Sequence, residues 1–217
     1  MRKENATYYF SVEGETEKWY LEWLQTAING SGKARYTVKF DVKIQKDPVA
    51  RVKSMTVLGK TEIVHVFDKE SEEVIHTKQF MSTLKRMKEA QRLGKNIKYV
   101  MGYSNFTFEL WIILHKMDLN APKGHRKQYL QPINAAFGER FENLDEYKQD
   151  TNFHRVLSKL SLEDVKAAIK RAERITCSNE DGRFKQQEYA GYRFFSENPS
   201  LSIWQPIKKI LTDCNLL

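Results

Sequence analysis

The chain has 217 residues, of which 41% are hydrophobic, 12% aromatic and 29% charged. This composition is typical of a globular protein with one sizeable core, and it excludes a disordered chain. The two cysteines, Cys177 and Cys214, lie far apart without a CxxC spacing, which excludes a disulfide framework and a cysteine zinc site. The formal net charge of +8 favours a polyanionic partner, since clustered Lys and Arg release the counterions of phosphates.

The beginning of the chain lacks the pattern of a signal peptide. Residues 1–4 lead directly into a strand-like segment instead of an apolar stretch. The longest apolar run, over 110–114, is far shorter than the roughly 18 residues of a membrane span. We therefore expect a cytoplasmic protein with no membrane partner.

Strand and helix patterns alternate through the first half of the chain. Period-two or β-branched runs predict strands, and apolar residues at helical spacing predict the helices between them. The predicted strands cover 6–12, 36–44, 62–67 and 97–101, and the predicted helices cover 16–27, 48–58, 74–93 and 106–114. This order predicts an α/β fold with a mostly parallel sheet flanked by helices.

Beyond Pro122 the strand patterns stop and only helical patterns are predicted, over 144–160, 161–177 and 201–214. We expect residues 1–120 to form the α/β core and residues 121–217 to form a C-terminal helical extension packed on it.

Acidic residues follow two of the predicted strands. Glu13 comes after the first strand, and Asp68 and Glu70 come after the third. The carboxyl ends of parallel strands share one edge of a sheet, so these side chains are expected to converge there. Carboxylate oxygens suit Mg²⁺, which one or two carboxylates hold together with water and substrate phosphates. Alternatively, Glu13 is a general base, or both acidic tracts only stabilise the helices that follow them.

Further candidates surround the fourth predicted strand. Glu109 lies in an apolar segment, where a carboxylate is costly unless it is paired or bound to a metal; the alternative is an exposed helix position. Ser104 and Asn105 are expected to cap the helix over 106–114, with phosphate binding as a second interpretation. His115 is the one histidine that we single out, because it follows Glu109 within two helical turns. Glu17, in the first acidic tract, is a further candidate.

Basic residues suggest where a nucleic acid could bind. Lys166, Lys170 and Arg174 recur every four residues on one predicted helix face, which suits a phosphate backbone, although a solvated face is an equal alternative. Further candidates for phosphate contacts are Lys123, Arg126, Lys127, Lys148 and Lys185. Aromatic residues near basic ones either stack on unpaired bases or pack in the core; these are Tyr147, Tyr189, Tyr192, Phe194 and Phe195.

Three motifs resemble those of the RloB family, whose members have a Toprim (topoisomerase-primase) fold. They are Glu-Gly-Glu-Thr-Glu-Lys-Trp-Tyr at 13–20, Val-Phe-Asp-Lys-Glu at 66–70, and Ser-Asn-Phe-Thr-Phe-Glu-Leu-Trp at 104–111, continuing to His115. Asn198-Pro199-Ser200 is also similar to that family. The resemblance implies a metal site formed by Glu13, Asp68 and Glu70. This chain has Asp-Lys-Glu in place of the usual Asp-x-Asp, so Glu72 or a water is an alternative ligand to Glu70.

The resemblance also implies a role in bacterial defence against phage, often beside an ATPase. No phosphate-binding GxxxxGK[ST] or GxGxxG motif is present, so ATP would come through such a partner. Our leading hypothesis is a Mg²⁺-dependent nuclease, with Mn²⁺ as a substitute ion. RNA, including tRNA, is the first substrate expected and DNA the second. The alternative is a non-catalytic nucleic-acid-binding or regulatory subunit of an ATPase-containing defence complex.

Overall fold

A computed structural model describes residues 4–217 of the chain. The described part contains six strands and nine α-helices, with a 3₁₀ turn at Arg126–Tyr129 and a π-helical turn at Asn179–Arg183. In chain order the elements are β1 (Asn5–Val12), α1 (Glu15–Gly30), β2 (Thr37–Ile44), α2 (Pro48–Lys53), β3 (Thr61–Lys69), α3 (Val74–Ala90), β4 (Ile97–Asn105), α4 (Glu109–Leu114), α5 (Leu130–Phe137), α6 (Leu144–Tyr147), α7 (Asp150–Ser158), α8 (Leu162–Ser178), β5 (Gln186–Tyr189), β6 (Tyr192–Phe195) and α9 (Trp204–Asp213).

The first four strands form one parallel sheet in the order β2-β1-β3-β4. Each strand is followed by a helix, which is the connection that parallel strands require. Val12 pairs with Ile44 on one side and with Val66 on the other, so the carboxyl ends of β1, β2 and β3 lie together. The predicted α/β fold with a parallel sheet flanked by helices is therefore confirmed.

Alternate residues of the strands are buried on opposite faces of the sheet, as period two requires. On one face, Phe10, Val12, Val64 and Val66 pack against α1, α4 and the helices of the second half. On the other face, Ile63 and its neighbours on β3 and β4 pack against α2, α3 and β6. Each large apolar side chain so buried stabilises the fold by about 1.5–3 kcal/mol. The sheet is therefore covered by packed side chains on both sides.

Residues of the second half share the larger hydrophobic cluster with the sheet. Tyr129, Phe153 and Ile169 belong to this cluster together with Phe10 and Val64. The segment 121–217 therefore packs on the sheet, while the division of the chain at residue 120 stays a prediction. Within residues 4–217, no helix has the length and the apolar character needed to cross a membrane.

The structure corrects several predicted elements. The prediction that strands stop after Pro122 was wrong, because β5 and β6 form an antiparallel hairpin. The strand predicted over 97–101 continues to Asn105, and α4 starts only at Glu109. Four helices also differ from the prediction: α2 ends at Lys53, the helix predicted over 144–160 is divided into α6 and α7, and α5 was not predicted.

Candidate functional site

The carboxyl ends of β1 and β3 bring Glu13 and Asp68 together. The backbone N–H of Asp68 donates to Oε2 of Glu13 over 3.5 Å. Both residues line a groove of about 360 Å³, and Glu70 and Lys46 lie along the same groove. Residues 13 and 68 are 55 positions apart in sequence, so only the parallel pairing of their strands accounts for this contact.

The first turn of α1 adds a third carboxylate. Glu17 is only 7% exposed, and its Oε2 accepts a hydrogen bond from the Thr16 hydroxyl over 3.2 Å. The same oxygen would lie 3.1 Å from a Cβ placed on Gly14, so the glutamate side chain folds back over this glycine. Gly14 therefore leaves room for the carboxylate beside the end of β1.

Glu109, the first residue of α4, adds a fourth carboxylate that is fully buried. Its Oε2 accepts a hydrogen bond from the Thr107 hydroxyl, and its Oε1 lies 3.2 Å from Nζ of Lys148. The chain reaches this position through a sharp turn at Phe106, whose φ of 66° is unusual for a residue other than glycine. The N–H of Phe106 donates to the carbonyl of Lys69 over 2.8 Å, which fixes the turn against β3.

Burial and neighbouring negative charges raise the pKa values of Asp68 and Glu17. The pKa of Asp68 is raised well above its usual range by burial, and further by repulsion from Glu17, Glu109 and Glu13. The pKa of Glu17 is also raised, first by burial and then by Glu109. Each further negative charge is costly where little water screens it. A cation among these carboxylates would relieve that cost.

Glu13 has a pKa raised to about 7, and burial is the main cause. The N–H of Asp68 and the ammonium of Lys46 act in the opposite direction, while Glu17 and Glu70 raise the pKa further. A carboxyl group that titrates near neutrality is suited to accept or release a proton in a reaction.

Lys148 supplies a positive charge at this cluster. Burial alone would lower the pKa of its ammonium, but Glu109, Asp68 and Glu17 outweigh that effect and the pKa is raised. Lys148 therefore stays charged, and 39% of its side chain remains exposed. Beside it, the Tyr147 hydroxyl is buried without a hydrogen-bond partner among the described residues.

Glu70 points along the groove towards α3. Its Oε2 lies 3.4 Å from Nε2 of His76, and Nδ1 of His76 shares a hydrogen bond of 2.7 Å with the Ser71 hydroxyl. The neighbouring Lys69 is buried instead, where its Nζ lies 2.6 Å from Oε1 of Glu72 and donates to the carbonyl of Ser196 over 3.1 Å. Glu72 is therefore engaged by Lys69, and ligation of a metal by Glu70 stays a prediction.

The donor set suits a hard divalent cation. Within residues 4–217, no group of three or more His, Cys, Asp or Glu side chains is arranged to hold a metal ion. Magnesium does not require such a group, because it retains several waters and binds one or two carboxylates together with substrate phosphates. Glu13 and Asp68 provide two carboxylates beside an open groove, so the residues present fit Mg²⁺.

The predicted phosphate-binding residues are dispersed. Lys148 lies at the acidic cluster. On α8, Lys166 is paired with Glu163 over 2.8 Å, and Arg174 with Asp118 over 2.7 Å. The remaining candidates are not gathered at the groove: Lys170 lines a cleft of about 730 Å³ between α8 and α9, Lys123, Arg126 and Lys127 precede α5, and Lys185 precedes β5.

The structure places the remaining candidates in structural contacts. His115 is buried, its Nε2 lies 3.1 Å from the Tyr20 hydroxyl, and burial lowers its pKa to about 4. The prediction that Ser104 and Asn105 cap α4 was wrong, because both residues belong to β4 and α4 begins only at Glu109. The Asn105 amide donates to the carbonyls of residues 195, 196 and 197 and thereby fastens the C-terminal segment to β4.

Sequence reasoning missed Lys46 and the position of Lys148. Lys46 follows β2, whose end lies beside β1, since the N–H of Gln45 donates to the carbonyl of Val12 over 3.0 Å. The rule that identified Glu13 and Asp68 therefore also applies to Lys46. No local pattern links Lys148 to Glu109, because a tertiary contact between α4 and the end of α6 brings them together.

A parallel four-stranded sheet flanked by helices, with a further C-terminal helix, is consistent with a Toprim-like α/β protein. Residues 8–210, nearly the whole chain, match the profile of the RloB-like protein family, and the chain belongs to that family. Comparison with curated proteins gave no match, and neither did comparison with solved structures.

Proposed function

We propose that this protein is a Mg²⁺-dependent nuclease of the Toprim type. The observation that carries the proposal is the contact of Glu13 with Asp68 at the edge of the sheet, beside the buried carboxylates of Glu17 and Glu109. Burial, together with the neighbouring negative charges, raises the pKa values of Glu13, Glu17 and Asp68, and pKa values perturbed in this way are typical of functional sites.

In this proposal Glu13 and Asp68 hold the ion, with Glu70 as a further ligand, and Mn²⁺ can replace Mg²⁺. The bound ion supplies Lewis acidity towards a phosphodiester and lowers the pKa of a coordinated water. Glu109 positions Lys148, whose charged ammonium stabilises negative charge on the phosphate. The negative charge of Glu17 adds to the attraction for a cation beside Asp68, whose pKa it raises after the larger effect of burial.

The proposed substrate is a nucleic acid, with RNA, including tRNA, first and DNA second. The net charge of +8 supports a polyanionic substrate. Family membership motivates a role as an effector of bacterial defence against phage in the cytoplasm, together with an ATPase partner.

The test uses purified protein with labelled tRNA, single-stranded RNA and DNA, in Mg²⁺, Mn²⁺ or EDTA. We expect cleavage that requires the ion and that falls at least 100-fold in Asp68→Asn and Glu13→Gln. Glu15→Gln is the matched control, because Glu15 is exposed on the same turn and paired with Lys18. Cleavage undiminished in both site variants refutes the proposal.

A second candidate function is a non-catalytic nucleic-acid-binding or regulatory subunit of an ATPase-containing complex. Two contacts favour it: Lys148 already engages Glu109, and His76 engages Glu70. For this function we expect nucleic-acid binding in EDTA that equals binding in Mg²⁺, and no cleavage in either condition.

A further inference from the structure

The solvent-facing side of α3 carries a basic surface that we call the α3 stripe, formed by Lys78, Lys85, Lys88 and Arg92. Lys78, Lys85 and Arg92 are seven residues apart and therefore lie on one side of the helix, with Arg92 just beyond its last turn. All four side chains belong to exposed residues. The stripe thus places four positive charges along one side of the helix.

The α3 stripe is less neutralised than the predicted basic face of α8. On α8, both Lys166 and Arg174 form ion pairs with acidic side chains. In the described part of the chain, the α3 stripe has one ion pair, between Lys85 and Glu89 at 4.0 Å. A cation without a close protein partner is more readily available to a phosphate.

A cleft of about 370 Å³ adjoins the stripe where α3 meets the β5–β6 hairpin. Lys85, Lys88 and Arg92 line it on one side together with Glu89, whose carboxylate is paired with Arg86 over 3.1 Å. Tyr189 and Ala190 line the other side. Tyr189 is 39% exposed at the tip of the hairpin. An exposed aromatic ring beside three cations is the combination that binds unpaired bases and their phosphates.

The same helix also lines the acidic groove. His76, Gln79 and Thr83 face the groove that contains Glu13 and Asp68. A helix rises 1.5 Å per residue, so Gln79 and Lys88 are separated by about 14 Å along the axis. A few nucleotides cover this distance, and the exposed face between groove and cleft carries Lys78 and Lys85.

We propose that the substrate is a single-stranded stretch of nucleic acid that crosses α3. The stripe holds the phosphates next to the cleavage point, and Tyr189 stacks on one unpaired base. This inference rests on the proposed function for the position of the cut, while the binding surface itself is tested separately. It assigns strand binding to α3 instead of α8.

The test measures binding of a fluorescent 12-nucleotide single-stranded RNA by anisotropy in EDTA, at several salt concentrations. One variant combines Lys85→Gln, Lys88→Gln and Arg92→Gln. The matched control combines Lys166→Gln, Lys170→Gln and Arg174→Gln, which likewise removes three positive charges, all of them from α8, a helix as long as α3.

At low salt we expect the α3 variant to lose at least tenfold in affinity and the α8 variant less than threefold. The slope of log K against log salt should decrease by about 2 in the α3 variant, at roughly 0.7 per phosphate contact. Tyr189→Ala should lose about tenfold without a change in slope, and Tyr189→Phe should bind as the wild type does.

Equal losses in the two triple variants, or no binding by the wild type, overturn the inference. Asp68→Asn separates it from the proposed function, because this variant should bind normally while cleavage stops. Cleavage that depends on Asp68 but is insensitive to the α3 charges would leave the nuclease proposal intact and refute the α3 path.

Discussion

The ionised carboxylate of Glu13 should destabilise the metal-free protein, so Glu13→Gln should make it more stable. Burial and neighbouring carboxylates raise the pKa of Glu13 from 4.5 to about 7. Between those values the folded protein binds more protons than the unfolded chain, so stability falls as pH rises through this window and then stays constant. The glutamine variant lacks this loss.

The magnitude follows from the pKa difference. At about 1.4 kcal/mol for each pKa unit, the difference corresponds to roughly 3 kcal/mol above pH 7. Glu13 is partly exposed, and solvent screening reduces this value to about 1–2 kcal/mol. In EDTA, the variant should therefore exceed the wild type by about 1–2 kcal/mol at pH 8 and by much less at pH 4.5.

The assay is urea unfolding followed by circular dichroism at both pH values, with and without Mg²⁺. Added Mg²⁺ should stabilise the wild type at pH 8 and have a smaller effect on Glu13→Gln, because a ligand that binds only the folded state stabilises it. Glu15→Gln should match the wild type both in its stability at the two pH values and in its stabilisation by Mg²⁺, because Glu15 is exposed and paired with Lys18. The reasoning is refuted if Glu13→Gln is less stable than the wild type at pH 8 in EDTA, or if its advantage is the same at pH 4.5.

Three further substitutions test contacts around the site and in the second half. Gly14→Ala should change the free energy of unfolding by less than about 1 kcal/mol, because the Glu17 side chain can move aside from the new methyl group. The same substitution should reduce Mg²⁺ affinity in calorimetry, because it displaces the Glu17 carboxylate from its place beside Asp68. Asn105→Ala should cost about 2–4 kcal/mol in urea unfolding, since the two N–H groups of its amide are shared among three carbonyls that lose this donor. The hydrogen bond from Arg155 is the main cause that lowers the pKa of Glu139 to about 2, so the ionised carboxylate stabilises the fold above pH 4.5. Glu139→Gln should therefore cost about 1 kcal/mol of unfolding free energy at pH 7, and progressively less as the pH falls towards 2.

The sequence was sufficient to predict the parallel sheet and the meeting of Glu13 with Asp68. Both followed from local patterns, because alternating strand and helix signals dictate parallel pairing and parallel pairing places strand ends on one edge. Lys148 could not be placed in this way, since its position depends on how α6 packs against α4. Which cations face the acidic cluster is a property of tertiary packing.

The sequence patterns did not predict the β5–β6 hairpin, and the reason is local. All four residues of Gln186–Tyr189 are exposed and the first three are polar, so the segment lacks the alternation that marks a half-buried strand. In the sequence, the aromatic residues of β6 fit either base stacking or core packing, and in the structure Phe194 and Phe195 pack in the interior. The prediction that Ser104 and Asn105 start a helix was wrong for a similar reason. Strand β4 continues through these two polar residues, and their side chains are buried although their type is typical of a helix cap.

The most direct test of the metal site is calorimetric titration of Mn²⁺ into the wild type, Asp68→Asn and Glu15→Gln at pH 8. The account predicts binding to the wild type and to Glu15→Gln with equal affinity, and at least tenfold weaker binding to Asp68→Asn. Equal binding by all three proteins, or no binding by the wild type, would contradict it.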